Sequence, residues 1–501
     1  MQPIVTAAEM RALDRATSED IGLAAFTLME TAGRAVAEAA FGMLERRDAR
    51  VAVVCGPGNN GGDGVVAARV LRDRGVEATA YLVAERAAIK GDALAHLEIL
   101  ERAGGVVRGL QTAQQLVELG GLIAQADLVI DALFGIGVSR AIEGHLADVI
   151  DVMNRAPQRL AVDIPSGLVA DTGAAPGAVV EATRTVTMGA LKIALVSAPG
   201  FARCGEVEVA EIGIPTVLLK TANVRAGLIA ERDVRGWLPK PHALDHKGTR
   251  GHVLVVGGAP GMRGAGRLAS MAALRAGAGL STLAAEPGDD LGAPDSVMTK
   301  AVSGPIASAL AKMNAVVIGP GLGAGTLARG WLDEVLASGV PAVLDADALN
   351  MIAADPRVLN AAKGPVVLTP HPGEAARLLT STVPEVEADR LASARALAAK
   401  TRAVVVLKGA RTVICDGTLG DDYCALNPTG GPALATGGSG DVLAGTIGAL
   451  LAQGLAPGDA ACAGAFIHGL AGERLEAVHG RGAVSSDLPL AIATVLAQLS
   501  G

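Results

Sequence analysis

The chain has 501 residues and a formal net charge of −8, with 43 Lys and Arg against 51 Asp and Glu. This length predicts two or three domains, and the lack of a basic tail argues against a nucleic-acid partner. Half of the residues are hydrophobic, 2% are aromatic and 65 are glycine, which indicates aliphatic cores joined by tight turns, as in layered α/β proteins.

The chain start and the cysteines predict a cytoplasmic protein. The first residues do not resemble a signal peptide; they predict a helix whose capping box joins Thr6 and Glu9. The cysteines are Cys55, Cys204, Cys415, Cys424 and Cys462. They contain no CxxC pair, which favours reduced thiols over disulfides or a zinc site. No apolar run is long enough to span a membrane.

Strand-like and helix-like runs alternate from Val51 to Ile214. The runs "VAVVCG", "ADLVIDAL" and "RLAVDIP" predict strands, and "GVVAARVLRDRG" predicts a helix that ends at Gly75. A turn-rich connection is expected from Pro215 to about Lys247, and a second alternation then begins with "HVLVVGG". The sequence therefore predicts two α/β domains, each with a parallel sheet covered by helices.

A glycine-rich loop, "VCGPGNNGGDG", follows the first of these strands. Its spacing Gly56-x-Gly58-x-x-Gly61 predicts backbone N–H groups and a helix N-terminus that face one point, as a pyrophosphate requires. The spacing alone is a weak signal, and a tight strand–helix turn is the alternative. A dehydrogenase would also need an acidic residue at the end of the next strand, where Glu77 is too early and Glu85 too late.

Oxygen-bearing side chains follow three predicted strands of the first half. Asn60 lies in the glycine-rich loop, Asp131 ends a strand, and Asp163 and Ser166 follow another. Because the carboxyl ends of parallel strands meet at one crevice, these side chains are expected to meet there. Their oxygens suit a hard cation or sugar and amide groups. Each Asp alone would be read as a turn cap, whereas all of them together indicate a site.

The strongest signal in the second half is "ATGGSGDVLAGTIGALLAQG". The turn from Gly437 to Gly440 places Asp441 at the start of an apolar helix. Backbone N–H groups there stabilise transferring phosphate oxygens, and Asp441 accepts a proton from an attacking hydroxyl. N-capping by Asp441 is the alternative. Lys408 and Arg411 in "LKGARTVI" are candidate phosphate donors or solvated surface groups.

The first-half motifs "GPGNNGGDG", "DALFGIG" and "DIPSG", with the opening "TAAEMRALD", resemble the epimerase domain of the NAD(P)H-hydrate repair enzymes. The resemblance covers residues 1–217 and implies a Rossmann-like domain that interconverts the R and S hydrates. Asp163 is the candidate for proton transfer at the hydroxyl. The resemblance implies a potassium ion held by Asn60, Asp131 and Ser166. It implies hydrate contacts from Asn59, Asn60, Gly61, Gly62, Asp63, Gly135, Ile136, Gly137, Val138, Ser139, Arg140, Ala141 and Asp163.

The second-half motifs "IGPGLG", "TPHPGE", "LKGART" and "ATGGSGDVLAG" resemble the ribokinase-like dehydratase domain of the same family, over residues 225–501. The resemblance implies phosphorylation of the hydrate by ADP, then loss of phosphate to restore NADH or NADPH, with Mg2+ as a further cofactor and Asp441 as the base. It implies hydrate contacts from Ala265, Gly323, His371 and Asp441. It implies adenine-nucleotide contacts from Lys408, Gly409, Ala410, Arg411, Thr412 and Gly440.

Two other functions remain open from the residues alone. A vitamin or sugar kinase of the ribokinase-like group would explain the second half but not the first. A nucleotide sensor would keep the glycine-rich loops without needing both Asp163 and Asp441. His371, between two prolines, is either a ligand contact or a rigid-turn residue. We expect small-molecule substrates, no nucleic-acid or membrane partner, and a homo-oligomer.

Overall fold

The protein is described by a computed structural model that covers residues 1–46, 48–288, 291–420 and 422–500. The chain divides into two compact units. The N-terminal unit is Pro3–Val224, and the C-terminal unit is Met1–Gln2 together with Arg225–Gly501. Among the described residues, no helix combines the length and apolar character needed to cross a membrane.

Strands and helices alternate along the N-terminal unit. The strands are β1 (Gln2–Val5), β2 (Arg50–Cys55), β3 (Glu77–Leu82), β4 (Val106–Gly109), β5 (Leu128–Ala132), β6 (Arg159–Val162), β7 (Arg184–Met188), β8 (Leu191–Lys192) and β9 (Glu206–Ala210). The helices are α1 (Ala7–Glu19), α2 (Ala25–Met43), α3 (Asn59–Asp73), α4 (Gly91–Arg102), α5 (Ala113–Ala124), α6 (His145–Met153), α7 (Ile193–Val196) and α8 (Thr216–Thr221), with 3-10 segments at Arg86–Ala88 and Gly200–Arg203.

The sheet of the N-terminal unit is parallel and doubly wound, as predicted. Its strand order is β4-β3-β2-β5-β6-β7-β9. Val53 on β2 packs with residues of α2 and α3, whereas its neighbour Val54 packs with residues of α5 and α6 on the other face. From β2 to β4 the strands are added toward one edge of the sheet, and from β5 onward toward the other edge, so the strand order reverses between β2 and β5. This reversal opens a crevice at the carboxyl ends of these two strands.

The C-terminal unit repeats the α/β plan with a longer sheet. Its strands are β10 (Ala226–Leu228), β11 (His252–Val256), β12 (Leu280–Ala285), β13 (Met298–Ala301), β14 (Ala315–Ile318), β15 (Ala342–Leu344), β16 (Val366–Leu368), β17 (Val404–Leu407), β18 (Val413–Asp416) and β19 (Cys424–Leu426). The order β13-β12-β11-β14-β15-β16-β17 is parallel, and β18 and β19 continue it antiparallel before β10.

The helices of the C-terminal unit cover this sheet. They are α9 (Glu231–Trp237), α10 (Arg263–Arg275), α11 (Ala307–Leu310), α12 (Thr326–Ser338), α13 (Ala346–Ala354), α14 (Pro372–Leu379), α15 (Val383–Ala388), α16 (Arg390–Thr401), α17 (Ser439–Ala452), α18 (Pro457–His479) and α19 (Leu488–Leu499), with 3-10 segments at Pro356–Ala361, Pro432–Leu434 and Gly480–Gly482. Every residue of α17 from Val442 to Ala452 is buried, so this helix lies at the centre of the core.

Two local expectations are confirmed and two are corrected. Thr6 and Glu9 form the capping box of α1, and Gly75 ends α3 with a φ of 83°. The stretch that begins at Asn59 is not a loop but the first turn of α3. The turn-rich connection expected from Pro215 to about Lys247 contains α8, β10 and α9. Strand β10 was missed because it has only three residues and pairs with the distant β19.

The expectation that all cysteines are free thiols is wrong for one pair. Cys415 and Cys424 form a disulfide, whereas Cys55, Cys204 and Cys462 are free and buried. The two bonded residues lie opposite each other on the antiparallel strands β18 and β19. Cross-strand neighbours of this kind come close enough to bond, and a search for CxxC spacing does not detect them.

Gly61→Ala is expected to destabilise the N-terminal unit, because a methyl group there would lie 1.9 Å from the Gly56 carbonyl oxygen. Overpacking of this kind costs roughly 1–3 kcal/mol of unfolding free energy. Gly121→Ala in α5 is the matched control, since no described atom lies within 4 Å of its added methyl group. Urea unfolding should show a lower midpoint for the first variant only; equal midpoints would contradict the close packing of α3 on β2.

Candidate active sites

The candidate site of the N-terminal unit lies at the crevice between β2 and β5. A cavity of about 650 Å³ opens there and is lined by residues from α1, the start of α3 and the ends of β5 and β6. A Cβ atom placed on Gly135 would lie 3.0 Å from Asp163 Oδ2 and 3.2 Å from Asn60 Oδ1. The structure therefore brings Asn60 and Asp163 together against the loop that follows β5.

Asp131 is a fully buried carboxyl group at the end of β5. Its Oδ2 accepts a hydrogen bond from the Ser166 amide (2.8 Å), and its Oδ1 accepts from the Ser166 hydroxyl (2.6 Å) and the Leu133 amide (3.2 Å). Burial raises the pKa of Asp131 to about 6, against the lowering effect of these hydrogen bonds. In the part of the chain that the structure describes, no lysine or arginine pairs with this carboxyl group.

Asp163 has a strained backbone and a buried cationic partner. Its φ is 67°, in the left-handed region that side chains other than glycine rarely adopt. The Lys192 ammonium, 1% exposed, donates to Asp163 Oδ1 over 2.6 Å and also to the Thr187 hydroxyl and the Met188 carbonyl. All three ammonium protons are thus used, and Oδ1 is fixed while Oδ2 lies against Gly135 at the cavity.

Asp14, Asp63 and Asp92 line this cavity together with Asp163, and the pKa values of the first two are raised. Burial raises the pKa of Asp14 to about 6, with Lys192 lowering it and Asp163 raising it. Burial raises the pKa of Asp63 well above its ordinary value, and the charges of Asp163 and Asp14 add to this. Sequence reasoning missed both Asp14 and Lys192: Asp14 ends the opening motif "TAAEMRALD" but was given no role, and Lys192 lies in no quoted motif.

Only some of the residues predicted to contact the hydrate line the cavity. Asn59, Asn60, Asp63, Gly135, Ile136, Gly137 and Asp163 line it. Gly61 and Gly62 are buried against Gly56 and Met29 instead, where a side chain would not fit. The segment 138–141 is not part of the lining.

The candidate site of the C-terminal unit is centred on the first turn of α17. Gly438, with a φ of 92°, is the N-cap residue, and Asp441 is the third residue of the helix. Asp441 is therefore not the N-cap, so that alternative is wrong. Burial, followed by the charge of Asp345, raises the pKa of Asp441 to about 7, against the effect of Lys408.

Lys408 faces Asp441 across the glycine turn. Its ammonium donates to Asp345 Oδ1 over 2.7 Å, and the Thr369 hydroxyl donates to the same oxygen over 2.8 Å. A Cβ atom on Gly440 would lie 3.2 Å from Lys408 Nζ, so the ammonium lies at the helix N-terminus. Burial lowers the pKa of Lys408, but the carboxyl groups of Asp345 and Glu374 outweigh it and leave the pKa raised. Lys408 is thus not a solvated surface group.

His371 has a structural role in the fold. Its Nδ1 accepts hydrogen bonds from the Gly373 and Glu374 amides, and Glu374 accepts in return from the His371 amide, which makes a capping box for α14. Burial and Lys408 lower the pKa of His371. The imidazole remains about half exposed, with a side-chain exposure of 52%, and its Nε2 lies 3.5 Å from Glu374 Oε1.

The other predicted residues of the C-terminal unit lie in loops or at the start of a helix. The Gly323 amide donates to Asp347 Oδ2 over 2.8 Å. The Arg411 guanidinium donates to the Pro428 carbonyl, and the Thr412 hydroxyl to the Gly409 carbonyl. Ala265 lies in the first turn of α10.

Two residues that sequence reasoning missed support this site. Asp345 holds Lys408, and its place directly after β15 was the available signal, as it was for Asp163 after β6. The buried Arg390 donates to the carbonyls of Leu407 and Lys408, each over 3.1 Å, and so fixes the start of the predicted nucleotide loop.

Both units match known protein families. The family model described as NAD(P)H-hydrate dehydratase matches residues 253–494, and that of the YjeF-related protein N-terminus matches residues 25–194. A solved structure of an ADP/ATP-dependent NAD(P)H-hydrate dehydratase from Bacillus subtilis, crystallised with ATP and Mg2+, is 31% identical and covers 54% of this chain and 97% of that one, with a TM-score of 0.48.

Full-length relatives share both units. A bifunctional NAD(P)H-hydrate repair enzyme of Moorella thermoacetica is 43% identical and covers 96% of this chain and 93% of its own. The chain belongs to the bifunctional NAD(P)H-hydrate repair enzymes. Those of Coxiella burnetii and Escherichia coli are 38% and 37% identical, over 96% of this chain and 96% and 91% of theirs. The family combines an epimerase domain with a ribokinase-like dehydratase domain.

Lys192→Met is expected to destabilise the N-terminal unit, because it removes the ammonium and leaves the Asp163 carboxylate uncompensated. Breaking a buried pair by removing one partner costs roughly 3–5 kcal/mol of unfolding free energy. Adding Asp163→Asn to the same chain should recover most of this loss. Urea unfolding of the two single variants and the double variant gives the coupling energy; strictly additive losses would show that the pair does not interact.

Proposed function

We propose that residues 1–217 epimerise the R and S forms of NAD(P)H hydrate and that residues 225–501 dehydrate the S form at the expense of ADP. The products of the second reaction are NAD(P)H, AMP and phosphate. The observation that carries the proposal is the position of Asp441, in the first turn of α17 beside the glycine turn and Lys408. A helix N-terminus, a cation and a carboxyl group of raised pKa are the parts that phosphoryl transfer to a hydroxyl requires.

Asp441 is the proposed base of the dehydratase. It accepts the proton of the hydrate hydroxyl, whose oxygen attacks the terminal phosphorus of ADP and releases AMP. The C–O bond of the phosphate ester then breaks, because phosphate leaves more readily than hydroxide. The adjacent ring carbon loses a proton, and the electron pair of that C–H bond forms the ring double bond. The N–H groups at the start of α17 and the Lys408 ammonium offset the negative charge on the transferring oxygens. Ala265, Gly323 and His371 are the proposed contacts for the hydrate.

The adenine nucleotide is proposed to lie along the loop after β17. Lys408, Gly409, Ala410, Arg411, Thr412 and Gly440 are the proposed contacts. Mg2+ is proposed to enter with the nucleotide, because phosphate oxygens supply most of its ligands and only one or two protein carboxylates are needed. When bound, the ion would neutralise charge on the phosphates. The Asp441 carboxyl group, whose pKa is raised by burial and by the charges of Asp345 and Asp347, is the proposed protein ligand.

The epimerase is proposed to use Asp163 at the hydrate hydroxyl. The epimerised carbon bears both this hydroxyl and the ring nitrogen, so proton transfer at the oxygen lets the stereocentre open and close again. Lys192 fixes Asp163 Oδ1, which leaves Oδ2 directed at the cavity. The proposed contacts for the nucleotide are the residues of segments 59–63 and 135–137 that line the cavity: Asn59, Asn60, Asp63, Gly135, Ile136 and Gly137.

A potassium ion is proposed to bind Asn60, Asp131 and Ser166. Asp131 is buried without a cationic partner in the described part of the chain, which fits a monovalent cation. The Asn60 amide nitrogen is buried without a hydrogen-bond partner, and a half-turn of this side chain would place an oxygen ligand there. Oxygen donors with a single carboxylate suit a low-charge hard ion. The ion would order the loops that hold the nucleotide.

Asp441→Asn is expected to lower the dehydration rate by roughly 10²–10⁴-fold, because the general base is lost. For the wild type, kcat/KM should rise with pH through about 7, since Asp441 must be deprotonated to act. Asp459→Asn is the matched control, because Asp459 is also the third residue of a long helix and has a raised pKa. Epimerisation should be unchanged in both variants. A fully active Asp441→Asn protein would assign Asp441 a structural role.

Epimerisation is expected to require potassium. In Asp131→Asn the affinity for potassium should fall, so that a higher potassium concentration is needed for the same rate. The substitution keeps the side-chain shape but removes the charge that would hold the ion. The measurement is the epimerisation rate against KCl concentration at constant ionic strength, balanced with tetramethylammonium chloride. Asp148→Asn, an exposed position on α6, is the control. Equal rates in the two salts for the wild type would contradict the potassium site.

A further inference from the structure

The cavity of the N-terminal unit is lined by a helix that the matched family region does not include. That region begins at residue 25, whereas α1 ends at Glu19. One face of α1 lines the cavity, with Arg11, Asp14, Arg15 and Ser18 at successive helical spacing. Asp14 is the only carboxyl group of α1 among these lining residues.

Asp14 occupies the same electrostatic environment as Asp163. It is half-buried, it is repelled by the Asp163 carboxyl group, and it is attracted by the Lys192 ammonium. The other charged groups that line this cavity are Arg11 and Arg15 on α1, Asp63 on α3 and Asp92 on α4. Lys192 is bonded to Asp163 and not to Asp14, so the two carboxyl groups differ in charge compensation.

We propose that Asp14 is a second catalytic residue of the epimerase, a proton donor that acts together with the proton acceptor Asp163. This rests on the proposed epimerase function of the N-terminal unit. Asp163 has its charge compensated by a bonded ammonium, which suits the acceptor. Asp14 lacks that bond and retains its proton to higher pH than an ordinary aspartate, which suits the donor. Asp63 also lines the cavity, but it lies on α3 in the segment proposed to contact the nucleotide.

The two groups allow a balanced opening of the hydrated ring. Asp163 takes the hydroxyl proton, the C–O bond becomes a carbonyl, and the bond from this carbon to the ring nitrogen breaks. The electron pair of that bond goes to the nitrogen, which takes the proton of Asp14. The aldehyde then rotates about its C–C bond, and the reverse transfers close the ring on the other face. Both carboxyl groups return to their starting protonation states, and no co-reactant is consumed.

The test follows conversion of the R hydrate to the S hydrate by the full-length protein without ADP, so that dehydration does not occur. Asp14→Asn should lower kcat/KM by roughly 10²–10⁴-fold. Wild-type kcat/KM should fall as pH rises through about 6, because the donor loses its proton, and this fall should be absent in Asp14→Asn. Asp14→Glu should recover part of the rate together with the pH dependence. Asp20→Asn, just beyond α1 and outside the cavity, is the control.

Three results would overturn the proposal. The first is a kcat/KM for Asp14→Asn within twofold of the wild type. The second is a reduced kcat/KM for Asp14→Asn that still falls as pH rises through about 6. The third is a wild-type kcat/KM that does not fall as pH rises through about 6. The last is measurable even if a variant does not fold. Urea unfolding reports whether the N-terminal unit of each variant is folded, and dehydration of the S hydrate with ADP reports on the C-terminal unit. A wild-type protein that does not epimerise at all would contradict the epimerase function itself, which is a distinguishable outcome.

Discussion

A buried ammonium group bonded to an aspartate at the carboxyl edge of a parallel sheet is the interaction on which both candidate sites depend. Lys192 holds Asp163 in the N-terminal unit, and Lys408 holds Asp345 in the C-terminal unit. Each bond fixes one carboxylate oxygen and compensates a charge that could not otherwise be buried. Neither ammonium donates a hydrogen bond to Asp14 or Asp441, and burial raises the pKa values of both carboxyl groups.

This arrangement relates the fold to the chemistry. Parallel strands direct their carboxyl ends to one crevice, and glycines such as Gly61 let backbone segments approach closely beside it. In that environment Asp14 and Asp441 reach pKa values of about 6 and 7, near the pH at which a carboxyl group both gives and takes protons. Burial also raises the pKa of Asp131 to about 6, and a cation bound beside this carboxyl group would be favourable.

The sequence predicted the parts of the fold that depend on local pattern. The two α/β units, the crevice that contains Asn60 and Asp163, and the glycine turn before Asp441 all follow from periodicity and motif spacing. Other features depend on residues that are far apart in the chain. Lys192 meets Asp163 only through the pairing of β6 with β7 and the turn that follows, and the β10–β19 pair and the Cys415–Cys424 bond are also tertiary.

Repair of a mixture of R and S hydrates tests the central claim most directly, because both units must act in sequence. Purified protein with ADP and the mixed hydrates should restore the absorbance of the reduced nicotinamide until both epimers are consumed. An Asp163→Asn protein should restore only the share due to the S hydrate before slowing to the uncatalysed epimerisation rate. No return of absorbance with ADP, or the same complete conversion by Asp163→Asn at the wild-type rate, would contradict the account.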